Sequence, residues 1–533
     1  MSADAPRPAR AADRPGPACA LGLDLGTSSA KAVVTDTGGR VLSQASAGYA
    51  VTSVMAGYAE SDPADWWNAV TACTREAVYA AGARPAAIGL SGQMHGLVLT
   101  SPEGTALRPA LLWADGRAAG VLRAYRDLGP RALARLANPL APGMAGPLLV
   151  WLAQNEPRAY TAARWALQPK DWLRARLTGE FHAEPSDASA TLLYDLPGDR
   201  WDLETVSALG LDAGMLAPLL PSAGALAGRL SPRAAAELRL PAGLPVAAGA
   251  ADTAAAALGS GVLSGDDVQL TVGTGAQVIR PVATPASRAD AGVNLHRSAA
   301  PDGWYHMGAT LSAGLSLNWV RQVMNATWDE LYASAGQPGQ ALDPIFIPHL
   351  GGERTPYSDP ALRGSWTGLS LADDRTSLLR CALEGTAFAI RDALDALLAG
   401  HRPPRLRLAG GGTLAAGWRQ LLADVLGLPL YAVDVPAASG RGAALLGARA
   451  AGLLSFADIQ GPLAPPARLV AEPDPVAAAF HAERHARFRR VVAALGPGFG
   501  TDSGADPGDG FDPAFGTGQA PAGEPADYEG GTA

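Results

Sequence analysis

The stretch Gly249-Ala250-Ala251-Asp252-Thr253-Ala254-Ala255-Ala256-Ala257-Leu258-Gly259 places an acidic residue where a loop gives way to an alanine-rich helix. Two interpretations of Asp252 are open from these residues alone. Aspartate is a favoured N-cap, because its side chain accepts hydrogen bonds from the unpaired N–H groups of a first helical turn. A carboxylate that stands between two ligand-binding halves is also a candidate general base. The sequence on either side favours the second interpretation.

Two similar strand–turn–strand patterns flank this stretch. The first begins near Leu21 and the second near Val268, and their turn residues are Asp24, Gly26, Thr27 and Ser28 in the first and Gly273 and Thr274 in the second. Backbone N–H groups and hydroxyls in such turns bind phosphate, and an aspartate beside them holds Mg²⁺, usually through water. Asp and Gly are also the commonest residues of ordinary turns. The repetition nevertheless predicts two facing hairpins that hold a polyphosphate.

A third glycine-rich turn, Gly410-Gly411-Gly412, lies between a predicted strand and a predicted helix. Such a turn allows the backbone to approach a ligand closely. Together with Ala415 and a strand that ends at Asp434, it also forms part of a dinucleotide-binding pattern, which leaves an NAD-type oxidoreductase open. A P-loop is excluded, because neither of the two lysines, Lys31 and Lys170, stands in a Gly-Lys-Ser/Thr sequence.

Two polar turns are candidates for a sugar site. Gln93, Met94 and His95 follow a short apolar strand and are flanked by glycines, although a lone histidine is more often structural than a ligand. Trp113 and Asp115, the latter near Arg117, combine an aromatic face with a charge pair. The alternative for that pair is a surface ion pair, worth under about 1 kcal/mol.

The composition restricts the class of protein. A chain of 533 residues is too long for one ordinary core and predicts two or more domains. No apolar run reaches the roughly 18 residues of a membrane helix, and the N-terminus lacks the apolar segment of a secretory signal. Three cysteines make no disulfide framework, so a reduced cytoplasm is the predicted compartment.

Charge also restricts the partners. Seven of the acidic side chains lie in residues 496–533, which contain no Lys or Arg, and the rest of the chain has no basic stripe. Nucleic acid is therefore an unexpected partner. We expect a disordered arm over 1–18 and a disordered acidic tail over 496–533. The region 118–240 is predicted to be mostly helical, an excursion that shapes a cleft.

These motifs, in this order, resemble the FGGY carbohydrate kinases of the actin/hexokinase-like superfamily, and within that family the xylulokinase branch. The resemblance covers roughly residues 20–490. Its most specific pieces are the segments Ser91–Gly96, Gly352–Pro356, and Gly410–Gly412 followed by Trp418–Asp424. It implies an α/β fold of two actin/hexokinase-like domains of ribonuclease-H type with a ligand cleft between them. We place an N-terminal sugar-binding domain at 19–246 and a C-terminal nucleotide-binding domain at 247–495.

The resemblance also implies roles for individual residues. Asp252 becomes the catalytic base, and Asp24 the acid next to the phosphates and Mg²⁺. The implied sugar-site residues are Gln93, Met94, His95, Trp113, Asp115 and Thr253. The implied nucleotide-site residues are Gly26, Thr27, Ser28, Gly273, Thr274, Gly411 and Gly412. The chain departs from the family in one respect: many xylulokinases have Asn after the base, where this chain has Thr253.

The implied activity is ATP-dependent phosphorylation of a ketopentose, D-xylulose at O5, with ATP and Mg²⁺ as cofactors and a small sugar as the partner. Neither a membrane nor a nucleic acid is an expected partner, and a homodimer is a candidate assembly. Alternatives are a kinase for another ketose or a pentitol, the NAD-type oxidoreductase, and a catalytically silent sugar-binding regulator.

Overall fold

The structure, a computed structural model, describes residues 18–499, with side chains described through Leu495. The arm predicted over 1–18 and the tail predicted from 496 therefore lie almost entirely outside the described residues. The last helix continues to Phe499, so the first four residues assigned to the tail are helical.

Residues 18–260 form the first part of the fold. Its strands are β1 Cys19–Leu25, β2 Ser29–Asp36, β3 Val41–Gly48, β4 Glu60–Ser61, β5 Pro85–Gly92, β6 Val98–Thr100, β7 Ala110–Leu111, β8 Trp165–Leu167, β9 Tyr194–Asp195, β10 Arg200–Trp201, β11 Leu226–Arg229, β12 Pro245–Ala247 and β13 Ala250–Ala251. Its helices are α1 Pro63–Ala81, α2 Leu122–Asp127, α3 Pro130–Leu136, α4 Ala145–Asn155, α5 Pro157–Ala162, α6 Pro169–Thr178, α7 Pro185–Ala188, α8 Leu203–Ala208, α9 Pro232–Leu238 and α10 Asp252–Ser260.

Residues 268–499 form the second part. Its strands are β14 Val268–Val272, β15 Ala276–Val282, β16 Asn294–Arg297, β17 Trp304–Thr310, β18 Ile345–Ile347, β19 Ser365–Thr367, β20 Leu406–Ala409, β21 Leu430–Val433 and β22 Ala467–Ala471. Its helices are α11 Gly314–Val323, α12 Trp328–Ala333, α13 Arg375–Leu398, α14 Ala416–Leu426, α15 Ala438–Ala450, α16 Phe456–Gln460 and α17 Pro475–Phe499.

Each part is built on a seven-stranded sheet, and the two sheets share one pattern. The first has the order β11-β12-β5-β1-β2-β3, with β13 also paired to β5, and the second has the order β16-β17-β15-β14-β20-β21-β22. In both, the first strand of a hairpin lies between its antiparallel partner and a parallel strand from further along the chain. The duplicated hairpins that the sequence predicts are therefore real, and they occupy equivalent central positions. The α/β fold class with two such halves is confirmed.

Helix α1 covers one face of the first sheet and begins at an Asp-Pro pair, which is a typical helix start. Asp62 accepts a hydrogen bond at 2.8 Å from the N–H of Ala64, and Pro63 occupies the first helical position, where no N–H is needed. Trp66, Val70 and Cys73 lie on the buried face of the helix. Local signals alone were enough to fix this element.

Helix α15 connects the two parts, because it lies late in the chain yet packs on the first sheet. Glycines make this close approach feasible: a Cβ at Gly22 would lie 1.9 Å from the carbonyl oxygen of Gly440. Helix α15 also packs against α10, where a Cβ at Gly442 would lie 1.9 Å from the carbonyl oxygen of Ala255. The stretch that carries Asp252 is thus held between the first sheet and a helix from the C-terminal part.

The predicted domain boundary between residues 246 and 247 falls inside β12, and the first sheet continues through β13. The sequence signals a strand here, but not which sheet that strand joins, because the pairing partner lies about 160 residues earlier, at Ile88 to Gly92. In the excursion predicted over 118–240, helices α2 to α9 are present. Across residues 18–499, none of the helices combines the length and apolarity that a membrane span requires.

Candidate active site

The two aspartates singled out in the sequence converge at one edge of the first sheet. Strands β1, β5 and β13 run parallel, with Asp24 opposite Ser91 and Ser91 opposite Ala250. Because the carboxyl ends of parallel strands meet at the same edge, Asp252, which directly follows β13, lies near Asp24. A single strand end, that of β5, separates them.

Asp252 is the first residue of α10 and does not have the contacts of a cap. Its Oδ1 accepts from the backbone N–H of Thr253 at 2.6 Å and from the Thr253 hydroxyl at 3.2 Å. An N-cap oxygen accepts instead from the second or third N–H that follows it. The residue is half-buried. The N-cap interpretation is therefore not supported by the local geometry.

Burial raises the pKa of both carboxyl groups. Burial, with a contribution from the negative charge of Asp24, raises the pKa of Asp252 to about 7, although the hydrogen bonds from Thr253 oppose the rise. Burial also raises the pKa of Asp24, against the Ser91 hydroxyl, which donates to it at 2.9 Å, and the charge of Lys31. A carboxylate with a pKa near neutrality is well matched to proton abstraction.

The second sheet presents its glycine-rich turns at the corresponding edge. Strand β14 runs parallel to β20, so that Gly273 and the Gly410–Gly412 turn follow adjacent strand ends. A Cβ at Gly410 would lie 2.3 Å from the carbonyl oxygen of Val272, at a backbone φ of +94°. Gly273, Thr274 and Gly411 are exposed to solvent. The two turns therefore form one continuous, backbone-lined surface.

The turn of the first hairpin lies next to the predicted sugar turn. Gln93 donates from Nε2 to the carbonyl of Gly26 at 3.2 Å, and the indole of Trp113 donates to the Thr27 hydroxyl at 2.9 Å. Ser28 at the tip of the turn is exposed. The structure thus joins the groups assigned to phosphate and those assigned to sugar.

His95 adopts an uncommon backbone conformation in the sugar turn, with φ at +71°. Its Nδ1 lies 2.7 Å from the carbonyl oxygen of Ala190. Because a carbonyl only accepts, Nδ1 carries the proton in the neutral ring and Nε2 is left as an acceptor. Burial lowers the pKa of His95 to about 4, so the ring is neutral at physiological pH. The neighbouring Met94 is buried and packs with Tyr305 and Met307.

The sequence did not point to His296 or Tyr305, which the second part contributes to this pocket. The His296 ring lies 6.0 Å from that of His95 and 5.5 Å from that of Tyr305, between ring centroids. Both ring nitrogens of His296 and the Tyr305 hydroxyl are buried without a hydrogen bond among the described residues. The backbone of Ser189 partly opposes the effect of burial, which lowers the pKa of His296 to about 3. Unpaired buried polar atoms are costly, and their clustering beside Asp252 indicates a site for a polar ligand.

A buried charge network lies next to the strand end that precedes Asp252. Lys170 is fully buried and lies 2.5 Å from Asp171, 3.4 Å from Glu184 and 3.6 Å from Asp187. Burial raises the pKa of Asp187 well above its usual value, more than Lys170 lowers it. Burial therefore favours the protonated form of Asp187.

The same network holds the residue before the candidate base. The hydroxyl of Ser186 donates to Glu184 at 2.8 Å and accepts from the backbone N–H of Ala251 at 3.0 Å. Thr253, on the other side of Asp252, accepts from the Gln277 amide at 3.3 Å. Asp252 is thus fixed from both halves.

The contacts of Asp115 do not fit its predicted role in the sugar site. It is 1% exposed, and its two oxygens accept from Arg117 at 2.8 Å each and from the N–H of Ala59 at 2.7 Å. Arg117 in turn donates to Glu60 at 2.6 Å. A carboxylate so fully bonded is a structural group. Nor is it a surface ion pair, since both partners are buried.

Asp24 could supply part of the coordination shell of a magnesium ion. Within residues 18–499 there is no group of three His, Cys, Asp or Glu side chains placed to hold a metal. Mg²⁺ in phosphoryl-transfer sites uses one or two carboxylates, with water and substrate phosphates completing its shell. Asp24, with one hydrogen bond from Ser91 and a position beside the first turn, offers such a ligand.

Comparisons with known proteins agree with this arrangement. The family model for the N-terminal domain of the FGGY family of carbohydrate kinases matches residues 19–259, and the model for the C-terminal domain matches residues 268–451. The chain is 33% identical over 418 residues to a xylulose kinase of Escherichia coli strain K12, which covers 77% of this chain and 85% of that protein. It is 32% identical over 488 residues to a xylulose kinase of Klebsiella pneumoniae, covering 90% and 99%.

Solved structures show the same relationship. A crystal structure described as a xyloylose kinase from Brucella ovis superimposes with a TM-score of 0.84 at 34% identity, over 90% of this chain and 99% of the other. The actin/hexokinase-like two-domain fold is therefore confirmed.

Proposed function

The chain belongs to the FGGY family of carbohydrate kinases, and from this premise we propose that it transfers the γ-phosphoryl group of ATP to O5 of D-xylulose. The observation that carries the proposal is the position of Asp252. Its carboxyl group lies near Asp24 and near Tyr305, one of several buried polar side chains without a partner among the described residues, and its pKa is raised to about 7.

The pocket suits a small polyol. Around Asp252 lie the acceptor Nε2 of His95, the unpaired nitrogens of His296 and the hydroxyl of Tyr305. Gln93 adds a buried Oε1 without a partner among the described residues. Hydroxyl groups of a bound sugar would satisfy these atoms, and a site built this way strongly rejects analogues that lack the matching hydroxyl. Both histidines are neutral near pH 7, so the pocket favours an uncharged ligand.

Asp252 acts as the general base in the proposed reaction. It accepts the proton of the primary hydroxyl as that oxygen attacks the γ-phosphorus, and the O–P bond forms while the bond to the β-phosphate oxygen breaks. A positioned carboxylate contributes about 10²–10⁴-fold to such a step. The Thr253 bonds hold Oδ1, which fixes the direction in which Oδ2 faces the substrate.

ATP use follows from the family, and we assign its phosphates to the facing turns. Gly26, Thr27 and Ser28 line one side, and Gly273 and Thr274 the other, with Gly411 and Gly412 next to the adenosine. Mg²⁺ bound beside Asp24 would supply charge neutralisation for the phosphates. Backbone donors in these turns hold the phosphates in line, since catalysis of phosphoryl transfer rests on positioning and electrostatics.

Two alternatives remain distinct from this proposal. A related ketose or a pentitol is a competing substrate, because Thr253 stands where many xylulokinases have Asn and its hydroxyl is already bonded to Asp252 and Gln277. A silent sugar-binding regulator on the same fold would bind sugar without turnover. The NAD-type oxidoreductase is not retained, since both family models belong to kinases.

A panel of sugars with MgATP, read as ADP release, tests the proposal. The panel contains D-xylulose, D-ribulose, L-ribulose, D-fructose and xylitol. We expect the highest kcat/KM with D-xylulose. A higher value with another sugar would reassign the substrate, and sugar binding without ADP release would favour the regulator.

A further inference from the structure

The loop at 348–364 presents one arginine to the cleft. Glu353 anchors the loop: its Oε1 accepts from the backbone N–H of Leu311 at 2.7 Å and of Arg354 at 2.8 Å, and its Oε2 lies 3.1 Å from Nδ1 of the buried His349. Three residues after Leu311, the N–H of Gly314 donates to the carbonyl of Gly273. The backbone of Arg354 is therefore held close to the second phosphate turn.

The Arg354 side chain extends from this anchor towards the first part of the fold. Its guanidinium carbon lies 5.1 Å from the ring centroid of Trp113, the indole that donates to Thr27 in the first phosphate turn. Its positive charge is also near enough to His95 to lower the pKa of that ring further. One cation thus stands between both phosphate turns and the sugar turn.

This guanidinium has no partner of its own within residues 18–495. No carboxylate lies at ion-pair distance, and no hydrogen bond of its side chain is formed there; the Glu353 carboxylate is directed to two backbone N–H groups and to His349. The side chain is open to solvent, yet the surrounding protein is dense enough to lower its pKa. Most other arginines in the deep parts of this molecule are bonded, as Arg174 is to Asp171 and Arg484 to Glu384.

We propose that Arg354 binds the phosphoryl group during its transfer from ATP to the sugar hydroxyl. A guanidinium offers five N–H donors in a planar fork that matches phosphate oxygens, and such a clamp stabilises charge that develops in the transition state. The stacking on Trp113 pre-orients the fork without using its donors. The proposal rests on the proposed kinase function and adds a group from the second half that acts on the transferred phosphate.

Steady-state kinetics of R354Q and R354K, with R363Q as a matched control, provide the first test. Arg363 lies in the same loop, and its guanidinium donates only to the carbonyls of Pro360 and Leu362. We expect R354Q to lower kcat by about 10²–10³-fold with smaller changes in both KM values, and R354K to recover part of the loss. R363Q should retain wild-type kcat. An R354Q enzyme with kcat within about threefold of wild type would overturn the proposal.

Calorimetric binding of MgADP with and without aluminium fluoride, a mimic of the phosphoryl group in transit, gives a second readout that needs no turnover. In the wild type we expect aluminium fluoride to tighten MgADP binding. In R354Q this enhancement of affinity should be lost, while binding of MgADP alone is kept. Equal enhancement in wild type and R354Q would contradict the role of Arg354. A wild type that shows the enhancement but no turnover of D-xylulose would instead reject the proposed substrate. If R354Q does not fold, R354K carries both tests, since lysine keeps the charge but not the fork.

Discussion

Replacing Asp252 with Asn changes the candidate base and almost nothing else. Asn is nearly isosteric, and its Oδ1 accepts the same bonds from Thr253 that the carboxylate accepts at 2.6 and 3.2 Å. The amide is unable to take up a proton from the sugar hydroxyl. We therefore expect kcat to fall by about 10²–10⁴-fold, while the enzyme still folds and binds ATP.

The same substitution has a calculable effect on stability. The pKa of Asp252 is raised from 3.8 to about 7, a difference that corresponds to at most about 4 kcal/mol. The unfolded chain ionises near pH 4, whereas the folded protein keeps the proton until about pH 7. Asp252 therefore supports folding fully below about pH 4, and that support is lost as the pH rises through 7. Relative to wild type, D252N should become progressively more stable between pH 5 and pH 8.

ADP release and thermal unfolding at several pH values measure both effects. In the wild type, kcat/KM should rise with pH through about 7 as the base ionises. Asp62→Asn is the matched control, because Asp62 is a true N-cap and Asn caps equally well. D62N should leave kcat unchanged. A folded D252N enzyme with near-normal turnover, or a stability difference from wild type that does not vary with pH, would refute the assignment of Asp252 as a base with a raised pKa.

Three further substitutions test other parts of the account. His95→Ala should raise KM for sugar more than KM for ATP in steady-state kinetics, because the free ring nitrogen faces the sugar pocket; a selective rise in the ATP KM would contradict this placement. Lys170→Met removes the cation beside three buried carboxyl groups, of which Asp171 alone keeps Arg174 as a partner, and should cost about 3–5 kcal/mol in urea unfolding, whereas an unchanged midpoint would mean that the network is not stabilising. Gly442→Ala forces a Cβ to within 1.9 Å of the Ala255 carbonyl oxygen. The melting temperature of this variant should therefore fall well below that of a control at an exposed site, Ala416→Gly. Gly400→Ala is unsuitable as a control because Gly400 has a left-handed backbone.

Much of the fold was accessible from local sequence signals. The strand predicted to begin near Val268 and the strand and helix predicted on either side of Gly410–Gly412 are present, because glycine-rich turns and changes of apolar periodicity mark their ends. The duplicated hairpins and the positions of Asp24 and Asp252 also followed from such signals. All of these features depend on residues close to one another in the chain.

What local patterns missed depends on contacts between distant residues. The docking of α15 on the first sheet, which brings Gly440 against Gly22, has no signature beyond scattered glycines. His296 and Tyr305 lie on strands whose sequences resemble ordinary core strands. Their unpaired polar atoms can be recognised only when the two halves of the fold are assembled. Asp115 was misassigned because the sequence does not reveal that Ala59 and Glu60 approach it. The motif at Gly352–Pro356 is visible in the sequence, but the direction of the Arg354 side chain depends on how the two halves of the fold come together.

The identity of the phosphorylated oxygen is the most direct test of phosphoryl transfer from ATP to O5 of D-xylulose with Asp252 as the base. D-Xylulose labelled with carbon-13 at C5 is incubated with MgATP and the enzyme, and the product is analysed by NMR. We expect one ADP released per sugar consumed, and a carbon–phosphorus coupling on the labelled C5 signal that is absent when D252N replaces the wild type over the same time. ADP release without a coupled C5 signal, or no ADP release with D-xylulose at all, would contradict it.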